Sequence, residues 1–400
     1  MRSDRTVSWG FLHFAAALGF AMVDTVKVGV LFSCTGPYAA IGRDCRDGAT
    51  LAFDEAAKGS GGTSFQPVYA DPEGEPRAYL EQARAMLRDE GCRLIIGTIT
   101  SLARKEVIPL IEKHDGLLWY ICPYEGFEAN ENTIYTGACP NQHLMPLFEH
   151  LLPRQGRRVY LIGANYVWGW EMNRIARDLL RDAGGEVVGE RYLPIEETDV
   201  DRLIADIQSR RPDFILNNLI GPSSHAFLRA YKALGDADPA FRPEVRPVVS
   251  CDLTEAEIGE IGLGLSTGHL STASYFGTLA TPENERFRAR AATSLGADRR
   301  LSSFIEGAYV AAHMLMDAVR SAGSDDPAAV RAAVHAGLFE TPHGPMRVDP
   351  RTNHAALPFH LGRIRDDGNF EIIASRPAIA ADPYMTASRE GGRSSLRVVS

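Results

Sequence analysis

The sequence predicts an α/β protein built as two doubly wound lobes with a cleft between them. Three observations carry that prediction. Strand and helix patterns alternate four times between Val26 and Ile121, the alternation begins again after Pro140, and many of the strands are apolar along their whole length. Continuous apolar strands joined by helices are the pattern of a parallel sheet covered on both faces. A chain of 400 residues also exceeds what one hydrophobic core organises, so two domains are expected.

The elements follow in order. Val26–Phe32 is a short β-rich run, and the loop SCTGPYAAIG leads to a helix with Ala49, Ala52, Phe53 and Ala56 on one stripe. Gly59–Gly62 stops that helix, FQPVYA is the second strand, and Tyr79–Glu90 is a helix stopped by Gly91. CRLIIG, the helix Leu102–His114 and the strand LLWYI complete the first run. In the second run, Arg158–Ile162, EVVGERYLP, DFILNNL and RPVVSC are strands. Glu171–Ala183, Val200–Ser209 and Ala226–Leu234 are the helices between them. Two helices, Pro282–Leu295 and Ser302–Ala322, come after GHLSTASYF, the latter with Ser303 and Glu306 at capping-box spacing. Short strands (MRVD, PFHLGRI, FEIIA) end the fold, and the polar tail 385–400 is expected to be disordered.

Bulk properties exclude some functions. A net charge of −9 argues against nucleic acid as a direct ligand, because a phosphate backbone is bound by a basic surface. The body of the chain holds no apolar run long enough to span a membrane. Residues 1–25 stand apart from the fold. MRSDR followed by VSWGFLHFAAALGFAM reads as a signal peptide, or as an extension upstream of a start at Met22. Asp4, Trp9 and His13 fit a signal peptide poorly and tilt the reading to the internal start. Six cysteines without CxxC or metal-ligand spacing suit reduced thiols, which favours the cytoplasm slightly over the periplasm.

Enzyme signatures fail. GxxxxGK[ST], GxSxG and HExxH are missing, and Gly262, Gly264 and Gly268 form GxGxxxG rather than the dinucleotide fingerprint. Cys122 stands at a strand end, but no adjacent base or oxyanion hole is paired with it in the pattern. Glu125, Glu128, Glu255 and Glu257 read as solvent-facing or helix-capping carboxylates. No metal or other cofactor is expected, and a non-catalytic protein is the reading. Ligands of open α/β sheets sit outside the carboxyl ends of the strands, so the informative residues should follow strands.

At those strand ends the sequence resembles a known family. TSLARKEVIP, WYICPYEGFE, IYTGACPNQ, IGANYVWGWEMNR, LNNLIGPSS, LTEAE and SYFGTLATPEN are similar to segments of type I periplasmic binding proteins, from about Val26 to Tyr384. Within that family the chain looks most like the urea and short-chain-amide branch, on the segments PYEGFE and ACPNQ. The resemblance implies two discontinuous lobes, 26–140 plus 270–344 and 141–269 plus 345–384, joined by three crossings. It also implies a ligand cleft that closes on a small amide or urea.

A small, flat, neutral amide needs a few hydrogen bonds and flat apolar walls. Ser101 opens a helix after a strand, a position that also suits a plain N-cap, and it matches the family's ligand-binding serine. Tyr120 matches a pocket tyrosine, followed by Cys122 and Pro123, and the cysteine stands where the amide sensor of the branch has threonine. Tyr166 matches a second pocket tyrosine. Trp168 falls where relatives have tyrosine, and either narrows the mouth or belongs to the lobe core. Gly221 lets backbone approach the ligand, or is a turn glycine. Asp252 either accepts N–H bonds from an amide or an α-ammonium, or caps the helix before LTEAE. The resemblance implies a sensor that regulates an amidase operon by holding an RNA-binding antiterminator partner. The alternative is an extracytoplasmic receptor that hands a urea, amide or branched-chain amino acid to an ABC permease. Oligomeric state is left open, homo-oligomer included.

Overall fold

The computed structural model describes residues 25–59 and 62–386. The expectations for residues 1–24 and for most of the tail 385–400 lie outside the described residues. The first half of lobe one runs β1 (Thr25–Leu31), α1 (Ala39–Ala57), β2 (Ser64–Ala70), α2 (Pro76–Ala85), β3 (Leu94–Gly97), α3 (Ser101–Lys113), β4 (Leu117–Tyr120) and β5 (Thr133–Tyr135). Lobe two follows as α4 (Leu144–Leu151), β6 (Arg158–Ala164), α5 (Val167–Asp182), β7 (Glu186–Leu193), α6 (Asp201–Arg210), β8 (Phe214–Asn218), α7 (Pro222–Ala237), β9 (Val248–Ser250), α8 (Glu255–Ile261) and β10 (Leu270–Ala273). The chain returns to lobe one for α9 (Pro282–Leu295), α10 (Ser303–Ala322), α11 (Pro327–Ala336), the hairpin β11 (Phe339–Thr341) and β12 (Gly344–Met346), then β13 (Val348–Asp349) and β14 (His354–Ala355). It ends in lobe two with β15 (Leu357–Ile364) and β16 (Phe370–Ile379).

Two seven-stranded sheets result, in the orders β13-β14-β5-β4-β3-β1-β2 and β16-β15-β10-β9-β8-β6-β7. The central strands are parallel, so their carboxyl ends and the following helix N-termini collect at one end of each sheet. That end is the cleft. The sheets also fix the crossings. Leu270–Ala273, expected in lobe one, pairs with Val249 and Ser250 of the second sheet, so the chain crosses back only after Ala273. Val348–Ala355, expected in lobe two, completes the first sheet by pairing His354 with Tyr135, so the last crossing falls at about Ala356.

The period-based helices appear where apolar stripes placed them, with corrected ends. α5 begins at Val167, four residues before the expected Glu171, and α7 at Pro222. Ser302, not Ser303, caps α10 by accepting from the Ile305 amide, and Glu306 turns instead to His343. Three helices were not read from the pattern: α4, α8 and α11, each ten residues or shorter. Short helices carry too few turns for a stripe to stand out. Close backbone packing ties α1 to α10: a Cβ on Gly48 would meet the Ile305 carbonyl oxygen at 2.0 Å.

Candidate functional site

The wall from lobe one starts at the turn after β3. Thr100, rather than Ser101, is the N-cap of α3 and accepts from the Ala103 amide at 3.1 Å. Ser101 is therefore released from capping and sits in the first turn, buried, with its hydroxyl donating to Glu125. Arg104, one helical turn on, shares that face. It is fully buried between the rings of Tyr120 and Tyr124, at 4.5 and 4.6 Å from their centroids. Its guanidinium donates to Ser101 at 3.3 Å, to Glu125 at 3.2 Å and to Glu128 at 2.8 Å. Lys105 completes the pairing with Glu128 at 2.9 Å. Arg104 and Lys105 together hold the Glu128 carboxyl down, to about 2, against the effect of burial. The expectation that Glu125 and Glu128 face solvent is thereby corrected: both are drawn inward by a buried cation.

The other residues expected on this wall lie around that network. The Tyr120 hydroxyl donates to the Ile99 carbonyl at 2.9 Å. The Cys122 thiol points at the Thr98 carbonyl, 3.7 Å away, and lies beside the Cys45 thiol. Pro123 lines a small enclosed cavity between the lobes. Tyr124 stacks on Tyr135 and His354 and bonds the His354 ring, so the network reaches the strand next to the last crossing. In the segment PYEGFE, Gly126 has φ +78° and its Cβ position lies 2.6 Å from the Pro383 carbonyl, leaving room for no side chain.

Lobe two supplies a wall with few polar partners. Tyr166 precedes α5 in extended conformation and is buried. Its hydroxyl is pushed well above the usual range by burial and by Tyr38, Tyr120, Asp252 and Glu125 around it. Tyr38 of lobe one was not foreseen, although it lies in the loop after β1. Trp168 belongs to the apolar core of lobe two rather than to the mouth, with its ring 6.2 Å from His143. Its indole N–H has no partner. Gly221 precedes α7 with φ +57°, and a Cβ there would meet the Pro37 carbonyl of lobe one at 2.4 Å. Asp252 does not cap α8; Thr254 does, accepting from the Ala256 amide at 3.3 Å. The Asp252 carboxyl instead takes a bond from the Ser250 hydroxyl, and burial together with Glu257 raises its pKa to about 8. Glu255 is buried, with its pKa raised to about 8 mainly by burial, and Glu257 sits 3.1 Å from His225. Neither faces solvent.

The lobes are apposed. Leu102 and Phe127 of lobe one pack on the lobe-two core, Ile220 of lobe two packs on the lobe-one core, and Arg43 pairs with Glu260 at 2.9 Å. Among the described residues no group of three or more His, Cys, Asp or Glu is placed to hold a metal ion. No described helix is long and apolar enough to cross a membrane.

Two α/β lobes joined by three crossings, with buried polar side chains near their junction, are the architecture of a two-lobed binding protein. The chain belongs to the periplasmic binding protein family, type I: the periplasmic binding protein domain matches residues 26–390. It is 24% identical over 376 residues to the Leu/Ile/Val-binding protein homolog 6 of Brucella abortus (strain 2308), covering 89% of this chain and 92% of the relative. It is 23% identical to the leucine-, isoleucine-, valine-, threonine- and alanine-binding protein of Pseudomonas aeruginosa, covering 86% and 89%. Among solved structures, a solute-binding protein of an ABC transporter from R. palustris in complex with 4-hydroxybenzoate superposes with a TM-score of 0.78 at 23% identity, over 89% of this chain and 98% of that one. An amino acid ABC transporter substrate-binding protein from Pseudomonas fluorescens Pf-5 gives 0.78 at 19% identity, over 91% and 98%.

Proposed function

We propose that the protein is the substrate-binding component of an ABC transporter, without catalytic activity, and that its solute is a small nitrogen-bearing molecule: a short-chain amide, urea or an amino acid. Compared with the amidase-regulating sensor, this reading is favoured by the relatives, which are named as amino-acid-binding proteins and ABC transporter components. An ABC permease then replaces the antiterminator as the partner. The observation that carries the solute class is the charge balance of the cleft. The cations on the lobe-one wall, Arg104 and Lys105, are already matched by Glu125 and Glu128, and the Ser101 hydroxyl is already given to Glu125. A lone carboxylate, such as that of a benzoate, therefore meets no spare cation there. Opposite, Asp252 is a carboxyl whose raised pKa falls again when an N–H donor or ammonium comes to face it. Ser101, Tyr120, Cys122, Tyr166, Gly221 and Asp252 line the cleft in this reading, with Trp168 behind Tyr166.

Thermal unfolding of the purified protein tests it. A solute that binds only the folded state stabilises it by RT ln(1 + [L]/Kd), about 2.7 kcal/mol at a hundred times Kd. Acetamide, butyramide, urea, leucine and threonine are compared with 4-hydroxybenzoate at millimolar concentration. A rise in Tm with one of the nitrogen-bearing solutes and none with the benzoate is expected; the reverse pattern refutes the solute class. N-terminal sequencing of the protein recovered from separated cell fractions decides between transport and regulation.

A further inference from the structure

We infer that the cleft continues behind Asp252 into a polar chamber at the hinge, and that this chamber takes a neutral hydroxyl or carboxamide at the far end of the solute. The inference rests on the reading of the cleft as a solute site and extends it, because it fixes the chemistry of the solute's second end.

Asp252, on the lobe-two side of the cleft, and Pro123 both line the chamber, and its other walls include Thr136 near the first crossing, Thr272 near the second, and His343 in the β11–β12 turn of lobe one. Its volume is about 30 Å³. That is the space of roughly one water molecule, and so of one terminal functional group. Two buried polar atoms on its walls lack an oxygen or nitrogen partner: the Thr272 hydroxyl, with only the Cys251 thiol beside it, and His343 Nε2. His343 Nδ1 lies 2.7 Å from a Glu306 carboxylate oxygen, and both side chains are at least nine-tenths buried, at 4% and 2% exposure. A carboxylate accepts, so Nδ1 carries a proton, and in the neutral imidazole Nε2 is then left as an acceptor.

The chamber therefore offers an acceptor at His343 and a donor–acceptor at Thr272. A hydroxyl or a primary amide satisfies both. An aliphatic tip satisfies neither and leaves two buried polar groups without partners, which is the unfavourable case for hydrogen-bond deletion. A carboxylate tip is repelled by Glu306. The resulting solute carries nitrogen at the Asp252 end of the main cleft and a neutral polar group at its other end, which sets it apart from a branched aliphatic side chain.

Calorimetric titration with isosteric pairs tests this: threonine against valine, and 3-hydroxypropionamide against butyramide. The hydroxyl-bearing member should bind about fivefold tighter or more, the value of one net hydrogen bond. Thr272→Val should abolish most of that preference while the apolar member binds as before, and Thr272→Ser should keep it; circular dichroism and Tm confirm that both variants fold. Equal binding within each pair, or tighter binding of the apolar member, overturns the chamber as a subsite and leaves it holding water only. Binding by none of the four, nor by the other nitrogen-bearing solutes, overturns the solute-binding reading itself, and the chamber falls with it.

Discussion

The two walls of the cleft are built on opposite principles. On lobe one, Ser101, Arg104, Glu125, Glu128 and Lys105 form a closed network in which each charge has a partner and the aromatic rings of Tyr120 and Tyr124 clamp the guanidinium. On lobe two, Tyr166 is buried and Asp252 partly buried with few partners, and behind them the buried Trp168 has an indole N–H with none. A saturated network holds its shape whether or not a solute is present, whereas unsatisfied groups gain from one. In the proposed function, lobe one is the fixed platform and lobe two reads the solute when the lobes close, which is how differential affinity shifts an open–closed equilibrium.

Breaking the platform should have the largest effect. Arg104→Met leaves Glu125 and Glu128 buried without their main cation. Removing one partner of such a pair costs about 3–5 kcal/mol, so a fall in Tm of many degrees is expected, with solute binding lost. Adding Glu125→Gln to that variant should restore part of the stability; a further fall would contradict the network. The next effect is on closure. Gly221→Val places a branched side chain against the Pro37 carbonyl at positive φ. Solute affinity should drop by at least about tenfold, equivalent to ~1.4 kcal/mol. Small-angle scattering should show a more extended particle, and an unchanged profile with unchanged affinity would mean that this contact does not limit closure.

A third test sharpens the comparison through pH. Asp252 and Glu255 have folded-state pKa values near 8, well above those of an unfolded chain, so the folded state holds extra protons up to that pH. Stability from these groups is complete at low pH and declines as pH rises to about 8. Burial of His143, His354 and His360 lowers their pKa to about 4, and that of His269 to about 3, with the opposite sign. Stability from the histidines rises with pH and is complete once the unfolded histidines are neutral. Between pH 7 and 8 the two acids dominate, because the unfolded histidines are by then mostly neutral, so Tm should fall there, and Asp252→Asn should flatten a large part of the fall. A variant as steep as the parent protein would remove Asp252 from this account. The smallest effect is expected from Trp168→Phe. The lost ring volume is set against removal of a buried N–H with no acceptor, and stability should change by less than ~1 kcal/mol in denaturant unfolding.

Much of this was legible in the sequence, and the rest was obscured for physical reasons. Apolar strands such as LLWYI and the stripe of α1 announced the lobes, because burial on both faces or on one leaves a direct pattern. The crossings were misplaced because Leu270–Ala273 and Val348–Ala355 are short, and pairing partners are not written in a strand. Ser101 opens α3 and Tyr120 closes β4, positions the alternation of strands and helices made legible. Arg104 was passed over, although its position three residues after Ser101 put it on the same face of α3. Glu125 and Glu128 then looked exposed, since a carboxylate is buried only when its cation is known to be there. The orphaned atoms of Thr272 and His343 carry no sequence signal: an unsatisfied group is a property of its neighbours.

The bare indole of Trp168 also makes the protein its own optical probe. The described tryptophans are Trp119, buried with its N–H directed at the Met314 sulfur at 3.4 Å, the half-exposed Trp170 on the surface of α5, and Trp168 behind the cleft wall. Indole emission moves to longer wavelength when the ring environment becomes more polar, and Trp119 lies in the core of lobe one, away from the moving surfaces. Filling the cleft should therefore change the spectrum through Trp168 and Trp170. Binding is then measurable in unlabelled protein at micromolar concentration, and a Trp170→Phe background isolates the signal from the wall that reads the solute.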